Sequence, residues 1–296
     1  MTAFSRVALI GFGEVGQTLG ADLVKSGVEV STYDILFASP DSAPSRATRT
    51  VAVRKADNAT DAIANAELIV SAVTAASDVD AARSVTAGIP RGAFYVDLNS
   101  VSPGTKTVCA RIVEDVGGRY VEAAVMTPIN PRGIGSPMLL GGAHAASFLE
   151  RGAPLGFKAK VFSSTLGQAA AVKMCRSVII KGVEALLTES MLAARHYGVE
   201  KPVLDSLSDL LPAGDWDKIA RYFISRSLEH GVRRAEEMRE AAKTVDEAGV
   251  APLMASATAE REDWAAGFKD ALGETELGAM LDAIRARMNA SRRAAE

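Results

Sequence analysis

Short apolar runs punctuate the first half of the chain: Val7–Ile10, Val28–Tyr33, Leu68–Val73, Ala93–Leu98 and Tyr120–Val125. Stretches long enough for helices separate them, at Gly13–Ser26, Asn58–Asn65, Val79–Ala87 and Pro103–Val116. Short runs rich in valine and isoleucine suit strands buried on both faces of a sheet. Strand alternating with helix at this spacing predicts βαβ units around a mostly parallel sheet.

Past about Leu166 the pattern turns helical. Only three of the 11 prolines and nine of the 25 glycines lie beyond residue 164, so chain breakers become sparse there. Gln168–His196 reads as one helix, roughly 45 Å long at about 1.5 Å per residue. Tyr197-Gly198 supplies its stop. Further helices are expected at 202–210, 215–229, 231–247, 253–271 and 275–293. The expected organisation is an α/β domain over residues 1–164, then an all-α domain over 165–296 that starts with the long helix.

Composition narrows the function classes. Of 296 residues, 48% are hydrophobic and 23% charged, as in a globular protein, and the formal net charge is −3. That balance provides no field to draw the chain to nucleic acid or an anionic membrane. The two cysteines, Cys109 and Cys175, form no CxxC, and the three histidines are dispersed, so no metal site is expected. The N-terminal apolar run is too short for a signal peptide, and no apolar stretch approaches the roughly 20 residues of a membrane span. A soluble, cytoplasmic protein is the expectation.

Candidate chemistry begins directly after the first strand, where Gly11-Phe12-Gly13-Glu14-Val15-Gly16 matches GxGxxG. The first glycine permits the tight turn, the second lets the backbone approach a pyrophosphate, and the third lets helix and sheet pack closely. The helix beginning there points unsatisfied N–H groups at the anion. Asp34 follows Gly16 by 18 residues, at the end of the second strand, where an acid accepts hydrogen bonds from ribose hydroxyls. Strand, glycine turn, helix, strand and acid predict a Rossmann dinucleotide-binding domain; the alternatives are a Rossmann domain for FAD or S-adenosylmethionine, or one that has lost its site. A carboxylate repels a 2′-phosphate, which favours NAD; Arg46 and Arg49 in the following loop keep NADP open. Backbone around Val73 and Thr74 is expected to cover the cofactor's ribose side.

Four blocks follow in order, Ile10–Gly16, Asp97–Pro103, Glu122–Gly142 and Gly167–Met174. Together they resemble the β-hydroxyacid dehydrogenase superfamily, which includes 3-hydroxyisobutyrate and 6-phosphogluconate dehydrogenases, and the resemblance covers residues 6 to about 195. The helical C-terminus is similar to a 6-phosphogluconate dehydrogenase-like branch, through His230-Gly231-Val232-Arg233-Arg234-Ala235-Glu236-Glu237-Met238. The resemblance implies a catalytic lysine at Lys173, with Ser177 where the family has asparagine. It implies substrate binding by Asn99 and Ser100 in the DxST-type loop, with Asn99 also beside the cofactor. A family lysine aligns with Glu236, so anion binding is expected to pass to Arg233 or Arg234. The family's PVSGG-like turn reads Ala124-Val125-Met126-Thr127-Pro128 here, followed by Asn130-Pro131-Arg132-Gly133.

A lysine on that helix makes chemical sense. Lys173, Ser177, Ile180 and Glu184 are spaced to share one helical face, whereas Lys181 reads as solvated or at an interface. A free lysine has a pKa of about 10.4, and burial beside a positive nicotinamide ring disfavours its charged form. It then serves as general acid and base on a substrate hydroxyl. Asn99 and Ser100 are equally placed to cap the helix near Ser102-Pro103. The expected activity is hydride transfer between NAD(P) and a small, hydroxyl-bearing, anionic substrate. Oxidative decarboxylation is an alternative within the same family. Two others are imine reduction, whose enzymes usually lack this lysine, and a non-catalytic NAD(H) sensor. The long helix in a small domain predicts a homodimer, as in family members.

Overall fold

The computed structural model describes residues 2–210 and 214–295. It divides into two compact units, Met1–Met174 and Cys175–Glu296. The division falls inside the long helix, ten residues past the boundary expected at 164, so the first turns of that helix belong to the sheet-bearing unit.

The first unit carries an eight-stranded sheet: β1 (Arg6–Ile10), β2 (Glu29–Tyr33), β3 (Arg54–Lys55), β4 (Leu68–Ser71), β5 (Phe94–Asp97), β6 (Arg119–Val125), β7 (Met138–Gly141) and β8 (Ala159–Ser163). Its order is β3-β2-β1-β4-β5-β6-β7-β8. Pairing is parallel from β3 to β6, antiparallel between β6 and β7, and parallel again between β7 and β8. The first six strands follow the doubly wound order of a Rossmann domain. Strand alternation sorts the core into two faces. Val7 and Leu9 join Phe12, Leu19, Leu23, Phe94 and Phe148 on one, while Ala8 and Ile10 join Ile63, Ile69, Tyr95 and Val113 on the other.

The helices of this unit are α1 (Glu14–Lys25), α2 (Ala43–Ala47), α3 (Ala59–Ile63), α4 (Asp78–Ser84), α5 (Pro103–Glu114), α6 (Ala145–Gly152) and the start of α7 (Gln168–Tyr197). Local caps set their starts. The Asn58 side chain accepts from the Asp61 amide at 2.9 Å, and Ser102 accepts from Thr105 at 3.1 Å with Pro103 in the first turn. The cap of α5 is therefore Ser102, not Asn99 or Ser100.

The second unit holds the rest of α7, then α8 (Glu200–Leu210), α9 (Trp216–Glu247), α10 (Leu253–Ala265) and α11 (Leu277–Ala295), with a 3-10 stretch at Ala266–Gly273. Its core gathers Leu187, Met191, Ile224, Leu228, Met280 and Ile284. Two helices expected at 215–229 and 231–247 are one, α9. Gly231 is a packing site and not a break: a Cβ there would lie 2.3 Å from the backbone oxygen of Glu262 on α10. The helix expected at 253–271 ends as α-helix at Ala265 and tightens to 3-10 beyond it. Among the described residues, no helix is long and apolar enough to cross a membrane.

Because a backbone oxygen cannot move aside as a side chain can, Gly231→Val forces α9 and α10 apart. The expected cost is about 1–3 kcal/mol, read as a lower urea midpoint for the helical unit; an unchanged midpoint contradicts this packing.

Candidate dinucleotide and active site

The glycine turn sits at the C-terminal edge of the parallel strands, on the strand whose neighbours are β2 and β4. Gly11 has φ +93°, and a Cβ on it would lie 2.3 Å from the Ala72 carbonyl oxygen and 2.9 Å from a methyl of Val73. The turn therefore packs directly on the chain leaving β4. At Gly16, a Cβ would meet the Gly11 carbonyl oxygen at 2.2 Å, so helix and turn can close only on glycine. Gly13 differs: a Cβ there meets nothing within 4 Å. The start of α1 thus combines free amide groups with room for a diphosphate.

Asp34, half-buried at the end of β2, accepts from the Phe12 amide at 2.7 Å and the Leu36 amide at 2.9 Å. A carboxylate has about four acceptor sites, so two backbone bonds fix it and leave capacity for ribose hydroxyls. Arg46 and Arg49, the alternative anchors for a 2′-phosphate, bond the carbonyls of Asp41 and Pro40 within their own loop, the latter at 3.4 Å. These residues fit a nicotinamide dinucleotide: Asp34 keeps acceptor capacity, and the start of α1 is open. Glu14 and Val15 open α1 itself. The loop after β6, where the chain departs from the PVSGG-like turn, is tied to this helix. Asn130 donates to Glu14 at 3.0 Å, and the Ile134 amide donates to Asp22 at 3.0 Å.

Asn99 lies just past β5, 5% exposed, with its side-chain amide committed to protein groups. Its oxygen accepts from the Val73 amide at 2.8 Å, and its nitrogen donates to Ser71 at 2.9 Å and Asp78 at 2.7 Å. Beside it, Asp97 pairs with buried Lys106 at 2.6 Å and accepts from the Tyr120 hydroxyl at 2.5 Å. Burial works against the Lys106 charge, but Asp97 and Asp78 hold its pKa above the ordinary lysine value. Burial, reinforced by Asp97, pushes Asp78 up to about 7. Asp78, Asp97 and Cys109 offer atoms within 4.8 Å of one another, yet Lys106 already supplies a cation there. Ser100 is half-buried beyond Asn99, and Thr74 pairs with Ser77 at 3.3 Å.

Lys173 is half-buried in the second turn of α7. Buried Glu122 on β6 fixes the start of that helix by accepting from the Gly167 and Ala169 amides, both at 2.9 Å. Its carboxylate occupies the place of a side chain at Gly141, its partner on β7, where a Cβ would lie 2.0 Å from it. Burial raises the Glu122 pKa, and the two amides and Lys106 oppose that rise. The sequence carried the signal: an acid inside the apolar run Tyr120–Val125 needs buried donors.

Farther along α7, Ser177 is buried and accepts from Lys181 at 3.3 Å, while Lys181 pairs with Glu237 on α9 at 2.8 Å. Lys181 is therefore not solvated; the acid supplied by α9 offsets its burial. Ile180, placed by spacing on the Ser177 face, is 39% exposed, and the buried face runs through Ser177, Lys181, Glu184 and Thr188. Arg234 is buried against Glu184 and lies 3.9 Å from Glu262, whereas Arg233 is exposed and pairs with Glu237.

Comparison with known proteins agrees with this geometry. Residues 6–149 match the NAD binding domain of 6-phosphogluconate dehydrogenase, and 194–264 match a domain of unknown function. A conserved hypothetical protein from Sinorhizobium meliloti 1021 is 33% identical over 96% of this chain and 97% of its own, with a TM-score of 0.72. A conserved protein of unknown function, described as structurally similar to 3-hydroxyacid dehydrogenases, is 32% identical over 88% of this chain and 96% of its own, at 0.68. A Mycobacterium tuberculosis 3-hydroxyisobutyrate dehydrogenase solved with L-serine shares the fold, 17% identical over 96% and 100% of the two chains, at 0.70. The chain belongs to the β-hydroxyacid dehydrogenase superfamily, with an NAD(P)-binding Rossmann domain and a helical C-terminal region.

The raised Asp78 pKa fixes a pH dependence. The folded state binds this proton more tightly than the unfolded chain, so the stabilisation is complete below 3.8 and lost as pH rises through about 7. The unfolding midpoint is expected to fall across that window by this contribution, and Asp78→Asn, which cannot ionise, is expected to flatten it. Identical pH profiles for the two proteins contradict the assignment.

Proposed function

We propose that the chain oxidises or reduces a small, hydroxyl-bearing, anionic molecule, a hydroxyacid or sugar acid, with Lys173 as general acid and base. When bound, the nicotinamide ring takes or returns the hydride. Lys173 takes the hydroxyl proton in the oxidative direction and gives it back in the reductive one. The observation that carries this reading is the Glu122 clamp. Two hydrogen bonds donated by backbone amides tie the start of α7 to the sheet bearing the glycine turn, so the lysine one turn later is fixed relative to that sheet.

Ser100 and Ser177 are proposed to orient the substrate. An ammonium has donors but no acceptor, so the Ser177 oxygen accepts from Lys181 and its own O–H is left to donate. That supplies a donor where the family has an asparagine amide. Asn99, with its amide spent inside the protein, supports the site in place of touching substrate. Arg234 is matched by two buried acids, which leaves exposed Arg233 as the cation that can exchange its partner for a substrate anion. Asp34 favours NAD over NADP. A homodimer is part of the proposal; a single monomeric species in sedimentation at micromolar concentration would contradict it.

The test is a screen of hydroxyacids and sugar acids for NADH formation, run on wild type and Lys173→Ala. Loss of general acid–base catalysis lowers kcat by about 10²–10⁴-fold, with NADH affinity retained. Equal turnover by the two proteins on the best substrate rejects the role of Lys173.

A further inference from the structure

Asp78 opens α4 and is fully buried, and one of its oxygens has no hydrogen-bond partner among the described residues. An acid in the first turn of a helix ordinarily faces water and the helix dipole. This one faces inward, where its other oxygen accepts from the Asn99 amide at 2.7 Å. Asn99 in turn holds the Val73 amide at 2.8 Å, and Val73 and Ala72 are the residues against which Gly11 packs. A continuous set of contacts thus runs from Asp78 through Asn99 and Val73 to the glycine turn.

We propose that Asp78 is a positioning residue for dinucleotide binding, acting through Asn99 to fix the Ala72–Thr74 backbone beneath the glycine turn. The partners of the Asn99 amide differ in what they can donate or accept. The Val73 N–H is a donor only and demands the amide oxygen, while the Ser71 hydroxyl serves as either donor or acceptor. Ser71 alone does not orient the amide nitrogen; an acceptor oxygen from Asp78 does. Turned over, the amide would set N–H against N–H at Val73. The groups facing Asp78 are Asp97 and Tyr95 from β5, Lys106 and Cys109 from α5, and Tyr120 from β6. Close to neutrality Asp78 takes up a proton, so the pocket need not hold two bare carboxylates against one lysine. This inference rests on the dinucleotide-binding domain and not on the proposed substrate chemistry.

Calorimetric titration of NADH into wild type, Asp78→Ala, Asn99→Ala, the double variant and Asp78→Asn tests it. Each alanine variant is expected to bind about tenfold more weakly, the loss of one buried hydrogen bond. The double variant is expected to match Asn99→Ala, because both act through one contact. Asp78→Asn keeps the acceptor oxygen and is expected to restore most of the affinity. Losses that multiply to about a hundredfold in the double variant overturn the proposal. So does an Asp78→Ala protein that melts earlier but binds NADH as wild type does, or a wild type that takes up neither NADH nor NADPH. Should Asp78→Ala fail to fold, amide exchange at Val73 decides: protection lost in Asn99→Ala supports the proposal, and protection retained overturns it.

Discussion

The close approach of Gly11 to the carbonyl of Ala72 constrains the glycine turn, since a Cβ there would lie 2.3 Å from that oxygen. Parallel pairing of β1 with β4 brings two chains out of the sheet side by side, and only a residue without a Cβ lets them stay in contact. Once the turn is seated, the direction of α1 is set, its first amides face open space, and the Phe12 amide reaches Asp34. The cofactor-binding features of this unit follow from that one close approach.

Around this point the protein buries an unusual amount of charge. Asp78, Asp97, Lys106 and Glu122 are all nearly inaccessible, and each has a partner from another element. Buried ionic groups are a poor source of stability, because desolvation offsets their attraction. Their use here is geometric. Asp97 and Lys106 join β5 to α5, Glu122 joins β6 to the start of α7, and Asp78 joins α4 to the ends of β4 and β5. The helical unit repeats the device with Lys181 against Glu237 and Arg234 against Glu184 and Glu262. In that unit Burial raises the Glu262 pKa against the pull of Arg234.

The parts of this arrangement that depend on neighbours in sequence could be read without coordinates. Strands β1, β4, β5 and β6 are legible because burial on both faces demands nearly continuous apolar runs, whereas β2 shows alternating burial, with Val30 and Thr32 inward. The glycine turn and Asp34 were legible because their spacing is a property of one βαβ unit. Strand β3 has only Arg54 and Lys55 and no apolar signature, β7 is a short Met-Leu-Leu run closed in by Pro137 and Gly141-Gly142, and β8 has no buried position to stand out. Lys181 read as solvated or at an interface, since its partner Glu237 lies 56 residues away; nothing local singles out Asp78, whose partner Asn99 lies 21 residues away. The break expected between 229 and 231 is absent, because sequence shows the missing side chain of Gly231 and not the Glu262 backbone that fills its place.

A dinucleotide diphosphate is expected to occupy the open space at Gly13. Gly13→Val tests this, since a Cβ built there meets nothing within 4 Å and φ is −73°. NADH titrated into wild type is expected to give a saturable one-site isotherm, and into Gly13→Val no detectable binding, at an unchanged melting temperature. Equal NADH affinity in the two proteins would contradict the account.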